Sequence, residues 1–157
     1  MAYFTPDFLQ FFKELAANNN KDWFNENKKR YEREVKKAFE LFITDMISRL
    51  AKDDKAIQIQ AKDAIFRIYR DIRFSKDKTP YKIQASAIIT PGGRKDMLTP
   101  GLYIELTPEH ARAYSGVYMP DKESLYRIRT YISTHGDELR KLLRDKDFVN
   151  RFGEIRG

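Results

Sequence analysis

Apolar residues recur along this chain first with a helical period, then with a period of two, and then with a helical period again. Phe8, Phe11, Phe12 and Leu15 fall at i, i+3, i+4 and i+7, which is one face of a helix. Thr5-Pro6-Asp7 ahead of them supplies a capping hydroxyl, a proline suited to the first turn and an acid at the positive end of the helix dipole. Asn18-Asn19-Asn20 then breaks the pattern. Asparagine tolerates left-handed geometry and caps helices, so this run predicts the end of one helix and the start of the next. From Lys21 the period resumes through Tyr31, Val35, Ala38, Phe39, Phe42, Met46 and Leu50. About thirty residues make a rod of roughly 45 Å, longer than a small domain is wide, so its first turns overhang the core or the helix bends. Together the two helices predict a hairpin.

Past a polar connection over 52–62, β-branched and aromatic residues take over. Residues 64–74 and 82–90, 101–107 and 112–118 read as short strands, with Pro91-Gly92-Gly93 and Pro108-Glu109-His110 as turns. Leu102, Ile104 and Leu106 alternate to one side. Strands joined by turns without intervening helices predict an antiparallel meander of about four strands. The first of these is ambiguous. As a strand, 64–74 puts Phe66, Ile68, Arg70, Ile72 and Phe74 on one face; as a helix capped by Asp63, it puts Ile65, Ile68, Tyr69 and Ile72 together. Its isoleucines and aromatics favour the strand. Asp121 then caps a helix carrying Leu125, Ile128 and Ile132 that ends near Gly136, and Leu139, Leu142 and Leu143 mark a last helix. The predicted class is α+β: an N-terminal helical hairpin, a β-meander and C-terminal helices.

The length of 157 residues fits one domain, 1–157, large enough to fold without a disulfide or metal. The absence of cysteine excludes disulfides, thiolate nucleophiles and Cys-ligated zinc together, and fits a reducing compartment. The start has no basic region ahead of an apolar one, and no apolar run approaches the ~20 residues of a membrane span. The expectation is a soluble cytoplasmic protein without a membrane partner. A net charge of +7 adds a mild preference for anionic partners.

That charge is concentrated. Arg67, Arg70, Arg73, Lys76, Lys78 and Lys82 place six cations in sixteen residues, opposed by Asp71 and Asp77, with Tyr69, Phe74 and Tyr81 interleaved. Guanidinium forks suit phosphate or carboxylate, and aromatic faces suit a base or sugar ring. The plainer reading is that the arginines serve internal ion pairs while the lysines are solvated. In a regular strand Arg67 and Arg73 share a face that Arg70 does not, so one ligand held by all three requires a bulge or a helical turn. Arg70, if on an apolar strand face, should be buried and paired with an acid other than Asp71. Elsewhere, Trp23, Asn27 and Tyr31 fall on one helix face near a helix N-terminus. Ser75-Lys76-Asp77-Lys78 fits Ser-x-x-Lys, but Thr79-Pro80 ends any helix at once. His110 and His135 stand apart from every motif. No grouping has metal-ligand spacing, no glycine-rich loop opens a helix, and no cofactor is implied.

The stretch Asn18-Asn-Asn-Lys-Asp-Trp-Phe24 with Asn27-Lys28 and Tyr31, then Arg67-Ile-Tyr-Arg-Asp-Ile-Arg-Phe-Ser-Lys-Asp-Lys-Thr-Pro-Tyr-Lys82, resembles the bacterial and fungal family known as domain of unknown function 2461. The likeness runs on through Gly116-Val-Tyr-Met-Pro120 and Arg127/Arg129. It implies no established activity. It also implies a longer chain, whose further segment past Gly157 would complete the site and offset the charge.

Three functions follow from these residues. The first is a binding module for an anionic, phosphate-bearing small molecule or nucleic acid, with Arg67, Arg70, Arg73, Ser75, Lys76, Lys78, Tyr81, Lys82, Trp23 and Asn27 as ligand contacts. The second is a metal-independent enzyme on a phosphorylated or nucleotide-like substrate, its arginines stabilising developing charge, Asp71 or Asp77 as base and Tyr81 or Lys78 as acid. The third is a scaffold in which the block is structural.

Overall fold

The computed structural model describes residues 2–154 and divides into two compact units, Met1–Tyr118 and Met119–Gly157. In the first, α1 (Pro6–Ala17) buries Phe8, Phe11, Phe12 and Leu15, the stripe expected of it. The asparagine run turns the chain: the Asn18 side chain donates to the Glu14 carbonyl, and Asn20 caps α2 (Lys21–Arg30), its side chain accepting from the Trp23 N–H at 3.0 Å. Each asparagine thus satisfies a backbone group that a helix end leaves unpaired.

The long second helix continues through a π-helical turn, Tyr31–Lys36, into α3 (Lys37–Asp53). At its end the Lys37 N–H reaches the Glu32 carbonyl, five residues back. The sequence gives the reason. Tyr31, Val35, Phe39, Ile43 and Ile47 all face the core, the last four buried, and they recur every fourth residue. In an ideal α-helix that spacing drifts by about 40° per step. One wider turn takes up part of the drift and keeps the stripe on the core.

Among the described residues the sheet has three strands, not about four: β1 (Ala85–Ile89), β2 (Gly101–Leu106) and β3 (Ala111–Gly116), antiparallel in that order. Ala87, Ile89 and Ile104 are buried toward the helices and Leu102 and Leu106 pack on the same core. The expected strand over 64–74 does not form, and neither does the helix. A single helical turn, α4 (Ala61–Ala64), is followed by extended backbone that touches β1 and the chain ahead of it at isolated points, Ile65 with Ala87 of β1 and Tyr69 with Tyr81. From one bridge to the other the chain runs four residues on this side, Ile65 to Tyr69, and six on the partner, Tyr81 to Ala87, so two extra residues on the partner, around Ile83 and Gln84, throw the ladder out of register. β-Propensity is satisfied locally, but a strand needs a partner in step.

The second unit holds α5 (Lys122–Thr134), capped by Asp121 as expected, α6 (Gly136–Leu143) and a further helix, α7 (Lys146–Phe152), capped by Asp145. None of these helices buries a residue. No described helix is long and apolar enough to cross a membrane.

Candidate functional site

The extended segment 65–70 and the residues before β1 are held to the helical hairpin through Tyr81. Its ring is buried and stacks on Phe24, centroids 4.0 Å apart and planes 18° apart. Its backbone is bonded on both sides by Asn19, whose Nδ2 donates to the Tyr81 carbonyl at 2.9 Å and whose Oδ1 accepts the Tyr81 N–H at 3.1 Å. In extended backbone, successive side chains point to opposite faces. With Tyr81 turned to the core, Lys82 turns away from it; with Ile68 buried, Arg67 does the same. The Lys82 N–H donates to the Ile68 carbonyl at 2.8 Å, so these two cations lie beside one another.

Both line a cleft of about 910 Å³ between this segment and the helix that carries the π-turn. The helical wall contributes Lys28, Tyr31, Glu32, Lys36 and Glu40, and the rim adds Lys62, Arg94 and Lys95. The rim is built by close approach. Gly93 has φ +69, and a Cβ there would lie 2.8 Å from the Asp63 carbonyl oxygen, so only glycine lets the turn sit against α4. Arg94 then donates to the Lys62 carbonyl. Cations therefore outnumber carboxylates on this lining, and among the described residues neither Arg67 nor Lys82 has a carboxylate within ion-pair distance. Burial, and secondarily the charge of Arg67, hold the Lys82 ammonium below the ordinary lysine range. Its Nζ sits 5.3 Å from the Phe66 ring centroid, where the ring face offsets part of that cost. Burial also pushes the Tyr31 phenol up to about 12.

The rest of the arginine-to-lysine block is placed otherwise. Arg70 lies over another, shallow recess that shares Lys82 and Gln84 with the cleft, and is bonded there to Asp77 and Thr79. Its side chain is 28% exposed and its partner comes from the adjoining loop. Arg73 is exposed and bonds Asp71 at 2.6 Å. Asp71 and Asp77 are each held at about 2 chiefly by these arginines. The Lys78 Nζ donates to the Ile72 carbonyl, and Ser75, Lys76 and Lys78 line no part of the cleft. Tyr81 serves the core. Trp23 packs on Phe11 at 5.6 Å, and the Asn27 side chain donates to the Trp23 carbonyl one turn back; neither reaches the cleft. The structure thus joins Arg67 and Lys82 of the block with Lys28, Lys36, Lys62, Arg94 and Lys95 from outside it. Sequence reasoning missed Asn19, read there only as part of a helix break. It also missed the outlying cations, which lack any local signal. Among the described residues no three Asp, Glu or His side chains converge as a metal site.

The fold and cleft define an α+β protein with a helical hairpin laid over a small antiparallel sheet and a basic groove along their junction. The chain belongs to the family described as "Conserved hypothetical protein (DUF2461)", whose model matches residues 7–157. No curated protein and no solved structure matches it.

Proposed function

We propose that the protein binds a phosphate-bearing anion in the cleft lined by Arg67 and Lys82. One observation carries this: two adjacent cations, the half-buried Lys82 and the exposed Arg67, line a concave surface without a carboxylate partner among the described residues, and the charge of the lysine is disfavoured there. Internal pairing explains Arg70 and Arg73 but not these two. Burying a cation without a partner opposes folding, and an anion bound between them relieves that cost. A guanidinium supplies a planar fork and the ammonium a point charge, a combination suited to phosphate oxygens. A cytoplasmic location accords with this reading, since phosphorylated ligands abound there and the chain carries no cysteine.

Calorimetric titration with inorganic triphosphate tests the reading. Arg67→Ala and Lys82→Met should each weaken binding at least about tenfold, in line with the loss of a charge-assisted hydrogen bond. Lys76→Ala and Lys78→Ala should leave it unchanged. Equal losses from all four would return the ligand to the loop; no binding by the parent would end the proposal.

A further inference from the structure

A second cavity, of about 690 Å³, adjoins the cleft and shares Phe66, Lys82, Gln84, Ser86 and Arg94 with it. It lies over the face of the sheet turned away from the helices, where Ile88, Tyr103 and Tyr114 project. Tyr103 and Tyr114 are directly opposed across β2 and β3, their rings 6.3 Å apart and 27° from parallel. Tyr114 is 55% exposed and Tyr118, at the end of the same wall, 64%. Tyr103 is fixed by its hydroxyl, which donates to Glu105 at 2.8 Å. The result is an aromatic shelf of two near-parallel tyrosines, the outer one, Tyr114, exposed, in a cavity that adjoins the basic cleft.

We propose that the two cavities together take a nucleoside phosphate, with its phosphates in the cleft against Arg67 and Lys82 and its base on the shelf formed by Tyr103 and Tyr114. This rests on the anion-binding reading of the cleft and extends it to a substrate class. Base–aromatic stacking is indifferent to which base is present, so the shelf selects a ring rather than a sequence. Each cavity falls within the range of small-ligand sites, ~300–1,000 Å³. The distribution of charge favours a small ligand over a strand of nucleic acid. A strand needs cations along its whole track, whereas Lys28, Lys36, Lys62, Arg67 and Lys95 line the first cavity alone, and only Lys82 and Arg94 reach both.

The four common ribonucleoside triphosphates, inorganic triphosphate and a twelve-residue oligothymidylate, each titrated calorimetrically into the parent protein and into Tyr114→Ala and Tyr114→Phe, test the proposal. Tyr114 is exposed on an edge strand, so both variants should fold. At least one nucleotide should bind about tenfold or more tighter than inorganic triphosphate. Tyr114→Ala should remove that advantage while leaving inorganic triphosphate unaffected, and Tyr114→Phe should keep it. If inorganic triphosphate binds and every nucleotide matches it, the shelf is not a base site and only the anion reading survives. If nothing binds, both fall. If the oligonucleotide binds more tightly than any nucleotide, the groove serves single-stranded nucleic acid and this proposal is overturned.

Discussion

Asn19 and Tyr81 are joined by two hydrogen bonds in which one side-chain amide pairs with both the N–H and the carbonyl of the other residue's backbone, at 3.1 and 2.9 Å. A loop between two helices thereby substitutes for a missing neighbouring strand. It also fixes the face to which Lys82 turns, because the residue before it cannot rotate.

Asn19→Ala should therefore act at two levels. Two partly buried backbone groups lose their partner, which costs about 1–3 kcal/mol, read as a lower urea midpoint with an unchanged slope. Triphosphate affinity should fall as well, although Asn19 does not line the cleft. Asn19→Asp, which keeps the acceptor and loses the donor, should lie between the parent and alanine in both measurements.

Lys82 links ligand binding to pH. Its folded pKa is depressed by burial and by Arg67. The unfolded state therefore holds more protons between that value and the ordinary lysine pKa, and stability from this group rises with pH across that window. Binding runs the opposite way, since an anion favours the charged form. Triphosphate affinity should decline as pH rises through the depressed pKa, below the usual lysine range, and Lys82→Arg should flatten the decline. At neutral pH, Lys82→Met should melt no lower than the parent.

Arg30 clips the hairpin by bonding both Asp7 and Glu14 of α1 and lying 5.7 Å from the Phe11 ring centroid. The hydrogen bonds from Arg30 lower both carboxyl pKa values. Such groups contribute stability above their unfolded values, near 4, that is lost as pH falls toward the folded ones. Arg30→Ala should lower stability at pH 7 by about 1–2 kcal/mol, discounted because the three side chains remain 23–36% exposed. It should also shrink the difference between melts at pH 7 and pH 3.

Arg70 is paired with an exposed loop acid rather than buried among the apolar residues flanking it in sequence. Arg70→Ala should then lower the melting temperature by only roughly 1–3 °C, the scale of a surface pair in a chain of this size, and Lys76→Ala by less. A fall of ten degrees would show that the guanidinium supports the core.

The sequence by itself determined what depends on short-range contacts. Helix hydrogen bonds and caps join residues a few positions apart, so Pro6-Asp7, Asn20 and Asp121 marked helix starts, although the Thr5 hydroxyl expected to cap α1 donates to Glu34 instead, and the alternation of Leu102, Ile104 and Leu106 marked a strand and its inner face. The length of the second helical stretch called for an overhang or a bend, but the π-turn at Tyr31–Lys36 that keeps its stripe on the core appeared only in the structure. Only the tertiary structure decided the rest. Residues 64–74 carry the composition of a strand, yet pairing needs a partner in register, and that register was set by two residues near Ile83. The cations of the 67–82 block do not converge as a set: only its two ends, Arg67 and Lys82, meet in the cleft, while Asp71 and Asp77 engage Arg73 and Arg70 within their own loop. Conversely, Lys28, Lys62 and Arg94 reach one cleft with Arg67 and Lys82 because helix, turn and extended chain pack around a common core, and no local pattern records which distant charges that packing brings together.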